Sequence, residues 1–285
     1  MADPGTLYLV GTPIGNLEDI SLRALRILRD VDLIAAEDTR HTGRLLQHFQ
    51  INTPQISYHA HNRQQRQPHL LEHLQAGRSL ALVTDAGMPG IADPGVDLVQ
   101  VCTATGIPVV PIPGPCAAIT ALCASGLPTD QFLFVGFLPP KTTARRQTLQ
   151  RLADQTATLI LYEAPHRLVA TLTDCAAILN AGRPCVVARE LTKRYETLWR
   201  GTLAAALDHY RQETPKGEVT LLLGGAVPTL VSVDEQVTTQ IQAGLAAGRP
   251  VGEVVRELVA ATGLPHRQLY RLALELRAAQ TELEP

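Results

Sequence analysis

Apolar positions along most of the chain fall into short dense runs separated by amphipathic stretches. A shorter, mixed run falls at 55–58, and the runs at 6–10, 32–36, 80–84 and 109–112 are nearly continuous in apolar residues. That is the signature of strands buried on both faces. Between them, 21–29 carries Leu22, Leu25, Ile27 and Leu28 on one helical face, and 42–49, 63–75 and 96–104 also read as helices. The alternation predicts a mainly parallel sheet covered by helices. "PIPGPCAAITALCASGLP" then breaks the rhythm with a Pro-Gly-Pro turn and a small-residue helix. A second α/β set follows, with strands at 132–137, 158–163, 185–189, 196–200 and 219–223 and helices at 142–152 and 166–179.

From Gly224, "GGAVPTLVSVD" reads as a linker, and the pattern beyond it is helical only, at 235–247, 250–261 and 266–277. Tight turns carrying "AGRP" and "TGLP" give this tail a helix-turn-helix character. The expected organisation is α/β: two α/β domains, 1–114 and 115–226, followed by a small helical domain, 234–285.

Composition narrows the class. The chain has 285 residues, 45% hydrophobic and 18% charged, without an apolar run of membrane-spanning length. Its first residues, Met1 to Gly5, carry no basic region or apolar signal core, so the cytoplasm is the expected compartment. Five cysteines (102, 116, 123, 175 and 185) form no C-x-x-C pair and read as reduced thiols. His59 and His61 alternate without a nearby third ligand, so no metal is expected. A net charge of −2 excludes a protein basic all over but leaves room for local basic patches.

The chemistry gathers in loops at the carboxyl ends of the strands, where α/β sheets bind ligands. "VTDAGMPGIADPG" (83–95) packs three glycines, two prolines and two aspartates into thirteen residues. Glycine permits left-handed backbone and close approach, and proline fixes φ. "GTPIGN" (11–16) lacks the G-x-G-x-x-G spacing, and no G-x-x-x-x-G-K-[ST] occurs, which disfavours a phosphate cradle. A ligand without phosphates fits better. S-adenosylmethionine, with a sulfonium, a ribose and an amino-acid tail, is one; plain tight turns are the other reading of these glycines.

"LVGTPIGNLEDIS", "AAEDTR", "TDAGMPGIADPG", "PIPGPCAAITAL", "FVGFLPPK", "YEAPHR" and "RELTK" occur in this order. Together they resemble the ribosomal RNA small subunit methyltransferase I family, within the tetrapyrrole-methylase-like superfamily of S-adenosylmethionine enzymes. The likeness runs over roughly 5–225, and the terminal helices are similar to that family's helix-turn-helix domain. It implies 2′-O-methylation of cytidine 1402 in 16S rRNA, with the small ribosomal subunit as partner, a homodimer, and a cofactor cleft between the two α/β domains. It also implies cofactor contacts at Pro13, Asp85, Gly87, Met88, Pro89, Ile91, Ala92, Ala117, Ala118, Ile119, Tyr162 and Glu218. Two positions depart from the family pattern: Ala92, where serine or asparagine is expected, and Gly90, where leucine is common.

A ribose hydroxyl is a weak nucleophile, so a base near the cleft is expected. The candidates are Glu163, Lys193 and His166, with helix capping as the other reading of Glu163. For the RNA, Arg40, Arg145, Arg146, Arg167, Arg189, Arg267 and Arg271 are the expected cations, with surface ion pairing as the alternative. Two rival functions remain at this stage. One is a tetrapyrrole-type small-molecule methyltransferase; the other is a DNA-binding regulator with a ligand-sensing α/β domain.

Overall fold

A computed structural model describes residues 4–213, 216–227 and 234–281, with side chains through Arg277. The chain divides into two compact units, 1–226 and 227–285. In the first unit, strands β1 (Leu7–Val10), β2 (Leu33–Ala36), β3 (Gln55–Ser57), β4 (Leu80–Val83) and β5 (Val109–Ile112) form one sheet in the order β3-β2-β4-β1-β5. Every pairing in it is parallel, as the alternation predicts. Alternate residues feed opposite faces. Ile34 and Ala36 pack with Leu25 and Leu28 of α1 (Leu22–Asp30) and with Leu45 of α2 (Thr39–His48). Ala35, Leu80 and Leu82 pack with Leu70 and Leu74 of α3 (Arg63–Gln75) and Leu98 of α4 (Val96–Ala104).

The second sheet is built differently. After α5 (Ala117–Ser125), strands β6 (Phe132–Phe137), β7 (Thr158–Glu163), β8 (Pro184–Arg189), β9 (Thr197–Thr202) and β10 (Val219–Leu223) run in the order β6-β7-β10-β8-β9. Only β6 and β7 pair in parallel; β10 lies antiparallel to both β7 and β8, and β9 antiparallel to β8. One face packs on α6 (Thr142–Arg151), α7 (Leu168–Leu179) and α8 (Leu203–Gln212), burying Leu149, Leu172 and Tyr210 among others. The other face, through Ile160, Val186 and Leu222, meets Ala118, Ala121 and Leu122 of α5 and also Ile14 from the first half. Helix α5 is therefore the layer through which the two halves meet.

The sequence pattern anticipates every strand but misses α8. Its start is signalled all the same: the Thr202 hydroxyl accepts from the Ala205 amide at 3.3 Å, an N-cap directly after a strand.

The second unit consists of α9 (Glu235–Ala246), α10 (Val251–Thr262) and α11 (His266–Thr281) around a core of its own. Ile241, Val255, Leu269 and Ala273 are fully buried in it. The linker expected from Gly224 lies largely outside the described residues, at 228–233.

Arg145, expected on an RNA-facing helix, is instead 4% exposed. Its Nε and Nη2 both reach Asp174 Oδ2, at 2.7 and 2.6 Å, while Arg146 Nε takes Oδ1 at 2.7 Å. Burial opposes the Asp174 charge, but Arg146 and Arg145 outweigh it and hold the carboxyl below the usual range. Arg145 is thus committed to a core ion pair rather than presented on the surface. Asp174→Ala strands a buried guanidinium and should lower unfolding free energy by about 3–5 kcal/mol near neutral pH. A depressed carboxylate stabilises above its ordinary pKa, so the deficit should shrink as pH falls through the folded value. Urea melts at pH 7 and pH 3 check both statements.

Candidate functional site

Strands β4, β1 and β5 lie side by side, so the loops leaving their carboxyl ends are neighbours. Two of them are clipped together. The Thr12 amide donates to the Gly87 carbonyl at 2.9 Å, and the Gly87 amide returns a bond to the Thr12 carbonyl at 3.1 Å. The Thr12 hydroxyl adds a bond to the Thr84 carbonyl at 3.0 Å. The third loop comes as close: a Cβ on Gly114 would stand 2.7 Å from the Gly11 Cα.

Beyond the clip, the 87–95 loop turns through left-handed backbone at Gly87 (φ +86°), Gly90 (φ +85°) and Ala92 (φ +64°). Ala92 holds a conformation that asparagine tolerates better, a local strain typical of functional loops. The dense glycines thus answer a geometric need.

Two adjoining cavities open here. The first, of about 360 Å³, is walled by Gly87, Met88, Ile91 and Ala92 on one side and by Cys116 and Ala117 at the start of α5. Tyr162, Glu163 and the β10 start, from Glu218 to Thr220, close the far side. Burial pushes the Tyr162 phenol up to about 12, and its oxygen accepts from the Ala118 amide at 3.2 Å. Phe134 and Phe137 flank its ring at 5.0 and 5.8 Å. The second cavity, of about 300 Å³, lies against Pro13, Gly15, His41, Arg44, Thr84, Asp85 and Lys193. Ile14, Ala86 and Glu218 border both. The buried Thr84 hydroxyl, on the wall of the second cavity, has no hydrogen-bond partner among the described residues.

The structure gathers most of the expected cofactor positions. Gly87, Met88, Ile91, Ala92, Ala117, Tyr162 and Glu218 line the first cavity, and Pro13, Asp85 and Glu218 the second. Pro89 is buried within the loop and lines neither cavity, the Ala118 amide donates to the Tyr162 oxygen, and Ile119 is 43% exposed and outside both cavities. No motif singles out Asp93, yet it lines the first cavity. The "DPG" triplet after the glycine loop is its available signal.

The expected bases fare differently. Glu163 is buried; it accepts from the Ala164 amide at 2.8 Å and the Thr171 hydroxyl at 2.5 Å and pairs with Arg167 at 3.3 Å. His166 is exposed and borders neither cavity. Lys193 Nζ sits between Glu190 (3.0 Å) and Glu218 (2.9 Å). Partial burial opposes its charge, but the bonds to Glu218 and Glu190 prevail and keep its pKa above the ordinary lysine value.

Among the expected RNA cations, Arg167 also donates to the Leu138 carbonyl at 2.7 Å and is a fastening of the fold. Arg189 binds Thr197 and the Lys216 carbonyl, and Arg40 is paired to Asp38 at 2.6 Å. Arg146, though paired, keeps a half-exposed side chain. In the second unit Arg271 pairs loosely with Glu275 at 3.7 Å, and Arg267 is exposed.

The profile of the Tetrapyrrole (Corrin/Porphyrin) Methylases matches residues 6–207, which include the walls of the first cavity up to Leu191 but not Glu218 to Thr220. The chain belongs to that methylase family. A relative from Synechocystis sp., named ribosomal RNA small subunit methyltransferase I, is 55% identical over 276 residues, 96% of this chain and 99% of its own. One of the same name from Halalkalibacterium halodurans is 47% identical over 275 residues, 95% of each chain. The uroporphyrin-III C-methyltransferase of Thermus thermophilus, solved with S-adenosyl homocysteine, shares the fold. Its TM-score is 0.53 at 20% identity, covering 76% of this chain and 97% of that one.

In this methylase Lys193 ties the loop after β8 to the start of β10. Lys193→Met leaves the Glu190 carboxylate, held below its ordinary range against the cost of burial by the Glu218 amide, Lys193 and Arg189, without its ion-pair partner. The expected loss is about 1–3 kcal/mol at neutral pH. Because the lost contribution belongs to an ionised carboxylate, the deficit should fade as pH falls through the folded Glu190 pKa. Denaturant melts across that range measure it.

Proposed function

We propose that this methylase transfers the methyl group of S-adenosylmethionine to the 2′-oxygen of cytidine 1402 in 16S rRNA, in the cytoplasm and as a homodimer. The near-full-length likeness to relatives named ribosomal RNA small subunit methyltransferase I carries the reading. The first cavity agrees with the cofactor. Its wall includes Asp93, Glu163 and Glu218 and, among the described residues, no lysine or arginine. Such a wall favours a sulfonium and an ammonium and repels a triphosphate. Its volume also falls within the roughly 300–1,000 Å³ of small-molecule sites.

When bound, S-adenosylmethionine supplies an electrophilic methyl group on a positively charged sulfur. The chain's part is to hold and aim the two reactants, which accounts for most of such a rate enhancement. Gly87 to Ala92 offer main chain to the cofactor, and Ala117 offers the open first turn of α5. Tyr162 backs it with an apolar ring whose hydroxyl is already engaged. Glu163, with its oxygens taken, fixes the Tyr162–Arg167 turn, and protonated Lys193 holds Glu218 at the border of the two cavities. The second cavity receives the target nucleotide, and the surface cations Arg146, Arg189, Arg267 and Arg271 face the RNA. In this scheme 1–114 and 115–226 supply the two walls, and 234–285 adds RNA affinity.

Small subunits isolated from a strain lacking the protein, incubated with the purified chain and labelled S-adenosylmethionine, should gain one 2′-O-methylcytidine. Nucleoside mass spectrometry reads it, and uroporphyrinogen should accept no label. Gly87→Val should lose cofactor binding in calorimetry, since a branched side chain is strained at φ +86° and displaces the loop, with circular dichroism checking that the sheets are retained. Label on a base, or on uroporphyrinogen, would refute the reading.

Removing 234–285 should weaken binding to the small subunit and leave cofactor affinity intact. The slope of log K against log salt should flatten by about 0.7–0.9 for each phosphate that is no longer neutralised. Filter binding at several salt concentrations tests it; unchanged RNA affinity with earlier melting would make the terminal helices a stabilising element only.

A further inference from the structure

We propose that Tyr195, with the Arg194 guanidinium over its ring, is the stacking platform for the nucleobase next to the target cytidine. The inference rests on the function proposed above and gives its RNA a contact outside the two cavities.

The loop between β8 and β9 reaches both cavities: Leu191 lines the first and Lys193 the second. It is held stiffly. Glu190 and Thr192 take left-handed backbone, at φ +52° and +65°, a conformation in which a β-branched threonine is an outlier. The Lys193 amide donates to the Glu190 carbonyl at 3.0 Å, and the Glu196 amide to the Lys193 carbonyl at 3.2 Å. The Thr192 amide donates to the Glu196 carboxylate at 2.6 Å. Gly15, on the wall of the second cavity, lies so close that a side chain there would collide with both Lys193 and Thr192.

Tyr195 stands on this braced loop. It is 65% exposed, the most exposed aromatic side chain among the described residues. It lines neither cavity, but two residues of chain span at most about 7 Å from Lys193, within a nucleotide's reach of the second cavity. Arg194 Cζ lies 5.6 Å from its ring centroid, a cation–π contact. Neither side chain makes a hydrogen bond or ion pair with any described residue. The acids nearby are spent: Glu196 on the Thr192 amide, Glu190 and Glu218 on Lys193. Arg44, on the wall of the second cavity, is also exposed and has no ion pair with a described residue.

These features fit a strand of RNA. A nucleotide drawn into a cavity leaves its stack, and its neighbour loses the base that covered one face. An exposed tyrosine ring covers that face whatever the base, while an unpaired guanidinium beside it meets the adjoining phosphate. A contact between two copies of the chain would bury Arg194 with no counter-charge from its own loop, which is costly. A phosphate brings that counter-charge with it.

The test uses the full chain and small subunits isolated from a strain lacking the protein. Tyr195→Ala, Tyr195→Trp, Tyr195→Leu and Arg194→Ala stand beside the parent. In filter binding Tyr195→Ala should be weaker by about 5–100-fold, the range of one base–aromatic stack. Tyr195→Trp should bind at least as well as the parent. Tyr195→Leu, apolar but without a π-face, should be as weak as Tyr195→Ala. Tyr195→Ala should keep the parent's slope of log K against log salt, whereas Arg194→Ala should flatten it by about 0.7–0.9, one phosphate contact. In methyl transfer the Tyr195→Ala defect should raise the half-saturating subunit concentration rather than slow the rate at saturation.

Because Tyr195 lines neither cavity and is mostly solvated, S-adenosylmethionine affinity by calorimetry and urea melts should match the parent's. Unchanged subunit affinity in Tyr195→Ala, or full rescue by Tyr195→Leu, would overturn the assignment. So would a binding defect that sedimentation traces to an altered oligomeric state, which would give Tyr195 to a contact between copies. Binding is read without methyl transfer. A parent that binds the subunit through Tyr195 yet leaves the ribose unmethylated would therefore overturn the proposed reaction and not the stacking contact.

Discussion

The reciprocal backbone bonds between Thr12 and Gly87 fix everything built above the first sheet. Parallel strands end with carbonyls and loops pointing the same way, so β4, β1 and β5 crowd three loops into one edge. Left alone, each loop would turn its amides and carbonyls to water. The clip makes two loops satisfy each other, and the Thr12 hydroxyl takes a third carbonyl. With Gly11 and Gly114 pressed backbone to backbone, no side chain fits between them. What remains of the 83–95 loop is free to arch outward and make one wall of a cavity. Glycine and proline are dense there because one segment must clip, reverse and face a ligand within a dozen residues.

The other wall depends on how the charges are distributed. Arg145 and Arg146 are committed to Asp174, Arg167 to Glu163, and Arg183 to the Ala153 and Gln155 carbonyls. Arg200 closes the carbonyls of Ala124 and Ser125 at the end of α5. These guanidiniums tie α6 to α7 and other helices and turns to the second sheet, a use that suits their fixed fork of donors. The first cavity is left acidic while its surroundings are full of arginine, an arrangement that favours a cationic ligand inside.

This allocation explains what the sequence disclosed and what it hid. The central strands, such as β4 and β10, were legible because a strand covered on both faces must be apolar at nearly every position. The glycine–proline loops were legible because few backbone conformations demand such residues. Helix α8 was not, since "GTLAAALDHY" follows a strand without a break and its alanines carry little periodic contrast. Nor does periodicity indicate that β10 inserts between β7 and β8. Arg145 read as a surface cation because its partner, Asp174, lies 29 residues away on another helix. Asp93 escaped notice for the opposite reason: inside a turn motif, an aspartate is expected to be a turn former.

An acidic cavity in a protein that handles a polyanion poses an electrostatic problem whose scale can be bounded. Two unit charges about 10 Å apart repel by roughly 0.4 kcal/mol in water and about 1.7 kcal/mol at an effective dielectric of 20. Several phosphates facing Glu37, Asp85 and Asp93 together would cost a few kcal/mol if all three acids were ionised. Two features reduce that cost. Burial keeps Glu37 and Asp93 shifted toward their neutral forms, and a cationic occupant of the first cavity cancels part of what remains. The same desolvation that makes these carboxyls reluctant to ionise therefore lets an anionic strand approach them, and the rim cations need to supply only the balance.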